Sequence, residues 1–183
     1  PKALGKLFPI IISQPDPQWP DKFKSERDII FKTMEQSNIV RIEHIGSTAV
    51  PNLKAKPTID ILMEIDPDVG IQVVIEDLKK IGYQYISRPE NPPPHAMFAK
   101  GYTRNGFMGQ AYHIHVRYPG DWDEIYFRDY LINHVQAARE YEQLKADLSV
   151  KFKHDREGYT DNKSAFINRI MVKAKKHVKK TKR

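Results

Sequence analysis

Residues 42 to 65 read Ile-Glu-His-Ile-Gly-Ser-Thr-Ala-Val-Pro-Asn-Leu-Lys-Ala-Lys-Pro-Thr-Ile-Asp-Ile-Leu-Met-Glu-Ile, and they limit what this chain can fold into. Two apolar runs of strand length, rich in β-branched residues, flank a polar connector that contains two prolines. The first run ends in Gly46-Ser47. The second carries an acid, Asp60, between two isoleucines. Burying a carboxylate costs several kcal/mol unless it is paired or bound to a metal, so Asp60 is a candidate for metal or substrate contact. A structural ion pair with Lys56 or Arg117 is the alternative. Gly46 lets the backbone approach a ligand closely, and Ser47 and Thr48 place hydroxyl and N–H donors beside it.

A Gly-Ser turn after one strand and an acid on the next resemble the nucleotidyltransferase superfold. In that superfold the turn grips a nucleoside triphosphate and strand carboxylates bind magnesium. More specifically, His44-Ile-Gly-Ser-Thr-Ala-Val-Pro51 and Ala55-Lys-Pro-Thr-Ile-Asp-Ile61 resemble the signature of the GrpB family. Asp16-Pro-Gln-Trp-Pro20, His113-Ile-His-Val116, Phe127-Arg-Asp-Tyr-Leu131, Tyr141 with Lys145, and Tyr159 with Lys163 and Phe166 are similar to its other blocks. The resemblance covers residues 8 to 172. It implies an α+β fold with a mixed, roughly five-stranded nucleotidyltransferase-like sheet, flanking helices and a C-terminal helical layer. It also implies a pocket for a nucleoside triphosphate and Mg²⁺ or Mn²⁺.

The pattern departs from that superfold at one point. Standard nucleotidyltransferases carry two strand acids separated by one residue, and here the second position is Leu62. Glu64 shares the face but lies about 13 Å along the strand, too far to share one ion with Asp60. His113 and His115 alternate on a strand, so both imidazoles face one way, about 6 to 7 Å apart at Cα. Beside Asp60 they would form a His-His-Asp cluster suited to a transition metal. Asp60, His113 and His115 are therefore the candidate catalytic residues, with Asp60 and His115 as metal ligands. Hydrogen-bonded sheet histidines are the alternative.

Gly46, Ser47, Thr48 and His44 form the candidate phosphate turn, although His44 would equally serve as a cap of that turn. Lys56 in the connector, and Arg128, Lys145 and Lys163 in the helical half, are candidate phosphate ligands. Lysine in the first turn of a helix opposes the helix dipole, which gives Lys163 a reason other than helix stability. Ordinary surface pairing, for example with Asp129 or Asp161, is the competing explanation.

Hydrophobic periodicity predicts helices over 21–36, 69–81, 123–133, 136–153 and 161–178. Strands are expected over 40–45, 58–65 and 83–86, with a hairpin of 97–103 and 111–118 around Asn105-Gly106. Residues 7–12 read as a short edge segment, with Pro9 arguing against a central strand. Residues 88–94 read as a loop or lid. The 183 residues fit one domain over 1–172, followed by a basic tail over 173–183.

The net charge of +7 belongs to that tail. Without its seven Lys and Arg, twenty-three basic residues balance twenty-three acids. A solvated helix end is favoured for it over a nucleic-acid arm. The absence of cysteine excludes disulfides and thiolate metal sites. No apolar run reaches membrane-spanning length and no secretory signal is visible, so a cytoplasmic protein without membrane contact is expected. The expected partners are a nucleotide and an unidentified small-molecule acceptor. Enzyme and non-catalytic nucleotide- or phosphometabolite-binding module both fit these residues.

Overall fold

The computed structural model describes residues 7–87, 90–91 and 94–181, with side chains described to residue 177. The expected loop or lid at 88–94 thus lies largely outside the described residues. The chain forms two compact units. One, the sheet unit, comprises Pro17–Ala49 and Thr58–Asp121. The other, the helical unit, comprises Pro1–Asp16, Val50–Pro57 and Trp122–Arg183. Each unit is assembled from discontinuous segments.

The sheet unit contains α1 (Trp19–Thr33), β1 (Ile39–Ile45), β2 (Thr58–Ile65), α2 (Ile71–Lys80), β3 (Gln84–Ile86), β4 (Ala96–Thr103) and β5 (Gly106–Arg117). Its five strands lie in the order β1-β2-β5-β4-β3. Only β2 and β5 run parallel; the other neighbours are antiparallel. The sheet is therefore mixed and five-stranded, as expected.

Alternation divides it into two faces. Ile59, Ile61 and Met63 of β2 register with Tyr112, Ile114 and Val116 of β5. Ile59, Ile61, Met63, Ile114 and Val116 are fully buried. Helix α1 packs on β2 and on α2, and α2 packs on β3. The helices contribute buried Ile30, Met34, Val74 and Leu78. Helix α1 begins with Pro in its first turn and ends at Thr33, three residues before the expected limit. Buried Glu26 of α1 is held by Lys100 of β4 at 2.8 Å.

The helical unit contains α3 (Asp123–Asn133), α4 (Val135–Lys151), α5 (Arg156–Asp161) and α6 (Ser164–Thr181). The helix expected over 161–178 begins three residues later, at Ser164, after a turn at Asn162 and Lys163, and the short helix α5 before that turn was not expected. Asp155 caps α5 by accepting a hydrogen bond from the Gly158 N–H.

Leu131, Tyr141, Phe166 and Ile170 form one core with Val50 and Leu53 of the connector. A second cluster joins Ile10 to Leu148 and Tyr159. The segment expected as an edge strand over 7–12 is tied by single contacts instead. The Ile10 N–H donates to Lys153 O, and Ser13 pairs with Ala55 in an isolated bridge. Proline at position 9 lacks the N–H a longer ladder would need. Helix α6 runs through the expected tail boundary, with Ala174 buried and Lys175 paired to Asp123 at 2.7 Å. No described helix is long and apolar enough to cross a membrane.

Candidate functional site

In the sheet unit, strand register brings the candidate residues together. Asp60 is the Cα partner of His113, and Leu62 is the partner of His115. Neighbours in register share a face, so Asp60, His113 and His115 all project away from the Ile61–Ile114 layer. Both imidazoles reach the same carboxylate oxygen. His113 Nδ1 lies 3.2 Å and His115 Nε2 3.4 Å from Asp60 Oδ1. The three candidate ligand atoms all fall within 4.8 Å of one another. Burial acts to raise the Asp60 carboxyl pKa. Hydrogen bonds and charge from His113, then His115, outweigh it and hold the group well below the usual carboxylate range. The Asp60 side chain retains 28% of its exposure, so the cluster is shielded without being sealed.

The other carboxylate oxygen faces the Gly-Ser turn. Gly46 has φ +73°, and a Cβ built there would meet Asp60 Oδ2 at 2.7 Å. Glycine is thus required twice at this position, by conformation and by space. Ser47–Ala49 forms a single 3₁₀ turn. The buried Thr48 hydroxyl donates to Thr58 O at 3.1 Å and lies 3.0 Å from His44 Nε2. His44 in turn stacks on Phe23, with ring centroids 4.9 Å apart. These contacts brace the end of β1 against the start of β2, fixing the turn beside Asp60.

Glu64 has a different role. Its carboxylate is 4% exposed and takes two hydrogen bonds from Arg41, at 3.0 and 2.5 Å, and one from the Gly120 N–H at 3.2 Å. Leu62 is fully buried. No described carboxylate joins Asp60 in its cluster.

Tyr102 was not legible in the sequence as a site residue. Its Oη lies 2.9 Å from His113 Nε2, and the two rings stack 5.5 Å apart. Register explains the omission. Lys100 pairs with Tyr112, so Tyr102 would ordinarily pair with Gln110, on the opposite face from His113. It pairs instead with Phe107, which shares the parity of His113. The shift is accommodated at Gly101 and Gly109, with φ of +88° and +68°. Gly101, inside the first arm of the predicted hairpin, was the available signal of a bulge, whereas Gly109 falls between the predicted arms.

In the helical unit, three of the predicted lysines gather around aromatic rings. Lys163 Nζ lies 4.4 Å and Lys56 Nζ 5.4 Å from the centroid of Tyr159, and Lys145 Nζ lies 4.8 Å from that of Tyr141. Lys145, only 2% exposed, donates to Lys54 O at 2.6 Å. Burial, then the charges of Lys163 and Lys56, lower its pKa to about 7 against the opposing influence of Glu142. The Tyr159 hydroxyl is buried without a hydrogen-bond partner among the described residues, and burial raises its pKa to about 12. Arg128 stands apart from this group, donating to Asp129 at 2.8 Å.

The fold is nucleotidyltransferase-like. Cid1 poly(U) polymerase, solved with MgGTP, is similar in fold, with a TM-score of 0.50 over 73% of this chain and 42% of that one, at 14% identity. The chain belongs to the GrpB family, described as GrpB protein, whose profile matches residues 9–173. The solved GrpB of Enterococcus faecalis is similar over 92% of this chain and 99% of its own, with a TM-score of 0.78 and 28% identity. A UPF0157 protein of Pseudomonas aeruginosa is 39% identical over 161 residues; the match covers 87% of this chain and 65% of that relative. The glutamate-rich protein GrpB of Alkalihalophilus pseudofirmus is 32% identical over 166 residues, covering 88% and 94%.

Proposed function

We propose that this chain binds a nucleoside triphosphate together with a divalent ion and transfers its nucleotidyl group to a small-molecule acceptor. The observation that carries the reading is the contact of Gly46, in a Gly-Ser turn, with an Asp60 carboxylate that two histidines also approach. Asp60 and His115 would hold Mg²⁺ or Mn²⁺. A bound ion of that kind neutralises charge on the transferring phosphoryl group. Gly46, Ser47 and Thr48 would receive phosphate oxygens, with His44 positioning Thr48. Lys56, Lys145 and Lys163 would form a phosphate-binding set, while Arg128 donates its Nε–H to Asp129. In the transfer, an acceptor hydroxyl forms a bond to the α-phosphorus and the bond to pyrophosphate breaks. The hydroxyl proton would pass to His113 if that ring is not itself a ligand. The cytoplasm, which holds nucleoside triphosphates, is the proposed setting.

A second reading is favoured by the fates of Leu62 and Glu64. With the usual second acid replaced by a buried leucine, and Glu64 engaged by Arg41, the same pocket would bind a nucleotide or phosphometabolite without turning it over. Calorimetry with Mg²⁺, each nucleoside triphosphate and a panel of phosphorylated metabolites tests binding; no binding by any nucleoside triphosphate would remove the first reading, and no binding by any compound would remove both. Release of labelled pyrophosphate across an acceptor panel separates the two. Asp60→Asn should weaken ion and nucleotide binding together.

A further inference from the structure

We infer that Asp60, His113 and His115 form a three-ligand site for a single transition-metal ion of the Zn²⁺ or Co²⁺ class, with Tyr102 as the residue that orients His113. This rests on the preceding reading that Asp60 and His115 hold a divalent ion, and it changes both the ion and the role of His113. Three independent features point this way.

The first is spacing. Metal–nitrogen and metal–carboxylate bonds of about 2.0–2.2 Å place neighbouring ligands of a tetrahedral ion about 3.3 Å apart. Two edges of the cluster measure 3.2 and 3.4 Å from Asp60 Oδ1 to the facing histidine nitrogens. The third edge is bounded at 4.8 Å.

The second is donor chemistry. Two imidazole nitrogens and one carboxylate oxygen suit borderline metals. Mg²⁺ prefers oxygen ligands and retains its waters, and no second carboxylate joins the described cluster.

The third is the tautomer of His113. Its Nε2 faces Tyr102 Oη at 2.9 Å while Nδ1 faces Asp60. With an ion bound, a neutral ring that donates Nε2–H to Tyr102 would turn its Nδ1 lone pair towards the metal; without one, the ring can donate Nδ1–H to Asp60 and accept from Tyr102 at Nε2. The metal-bound form is the arrangement by which outer groups orient metal-binding histidines. Its hydrogen bond withdraws His113 from general-base duty. Gly101 and Gly109, at which the register shifts, bring Tyr102 to this face. The bend at Gly101 therefore serves the cluster from the neighbouring strand.

The test is titration of metal-free protein with Zn²⁺, Co²⁺ and Mg²⁺ separately, followed by calorimetry and, for Co²⁺, by visible d–d absorption. One equivalent of Zn²⁺ or Co²⁺ should bind, with the intense bands of a four-coordinate site, while Mg²⁺ at the same concentration does not compete. His113→Ala and His115→Ala should each abolish the bands. Tyr102→Phe should keep the fold by circular dichroism, shift the bands, and weaken Co²⁺ binding roughly 10-fold or more. His134→Ala should change nothing, since His134 lies in the other unit beside His177. Failure of the folded protein to bind Zn²⁺ or Co²⁺ would overturn the inference, as would loss of binding in His134→Ala but not in His115→Ala. Unaltered bands and affinity in Tyr102→Phe would remove its orienting role. Nucleotide binding with Mg²⁺ but no Zn²⁺ or Co²⁺ binding would sink this inference and leave the proposed function standing. One equivalent of Zn²⁺ with no nucleotide binding in any metal would do the reverse.

Discussion

Lys145 makes stability depend on pH in an unusual direction. Its pKa of about 7, against an ordinary 10.5, corresponds to about 5 kcal/mol favouring the neutral amine in the folded chain. Between those two values the unfolded chain holds a proton that the folded chain lacks. Folding stability contributed by this residue therefore rises with pH across the window. Below it, both states are charged and the folded state bears the full cost of an ammonium buried beside Lys163 and Lys56. Above it, both are neutral and the amine still donates to Lys54 O. About 2 kcal/mol of the change should fall between about pH 7 and about pH 9. Lys145→Met, close in length and without the amine, should remove it. The assay is urea unfolding of both proteins at several pH values, taking the difference at each so that other titrating groups cancel. The wild-type advantage should grow with pH by about that amount. Inorganic phosphate should reduce the growth, because an anion among these lysines favours the charged form of Lys145. A difference that stays constant with pH would refute the account of Lys145 as a depressed lysine, and with it the coupling to Lys163 and Lys56.

Other outcomes follow from the same geometry. Gly46→Ala should remain folded, at a cost of about 1–2 kcal/mol for the left-handed backbone, yet lose metal binding because its Cβ displaces Asp60 Oδ2; thermal melts and a Co²⁺ titration read the two effects. Glu64→Gln should lose about 1–3 kcal/mol of stability by denaturant unfolding, through weaker bonds to Arg41 and Gly120, with nucleotide affinity unchanged in calorimetry. Truncation after Val172 should leave nucleotide binding intact, while lowering the melting temperature through loss of buried Ala174 and the Lys175–Asp123 pair. Lost nucleotide affinity in a folded truncation would place part of the site in the basic end. Salt-dependent loss of RNA or DNA retention alone would mark that end as a nucleic-acid arm.

How much of this was legible depends on whether the signal was local. Strand β2 was bounded correctly because a continuous apolar run has clear ends. The meeting of Asp60 with His113 and His115 followed from alternation plus the expected adjacency of their strands. Tyr102 was hidden, because residue parity assigns a face only where the ladder is regular and here it breaks at Gly101. The separate helix α5 was missed because its six residues are too few to show a helical period. Nor did local patterns reveal that Val50 and Leu53 serve the helical core, since a connector between two strands reads as a surface loop. The joint placement of Lys56, Lys145 and Lys163 came from family resemblance; their spacing in the sequence carries no sign of it.

The order in which a ribosome releases this chain gives the connector an odd position. Every described segment of the sheet unit has been made once Asp121 is joined, whereas the helical unit still lacks the four helices α3 to α6. Val50 and Leu53 emerge before Leu131, Tyr141, Phe166 and Ile170, the core residues they pack with. Until then, the nascent protein carries two apolar side chains in the middle of its finished half with nothing of their own core to cover them. Exposed apolar surface of that kind is what chaperones bind and what aggregation begins from. A slow or interrupted passage through the codons for residues 122 to 170 would prolong that exposure, so a vulnerable moment of this protein's life comes before α6 exists.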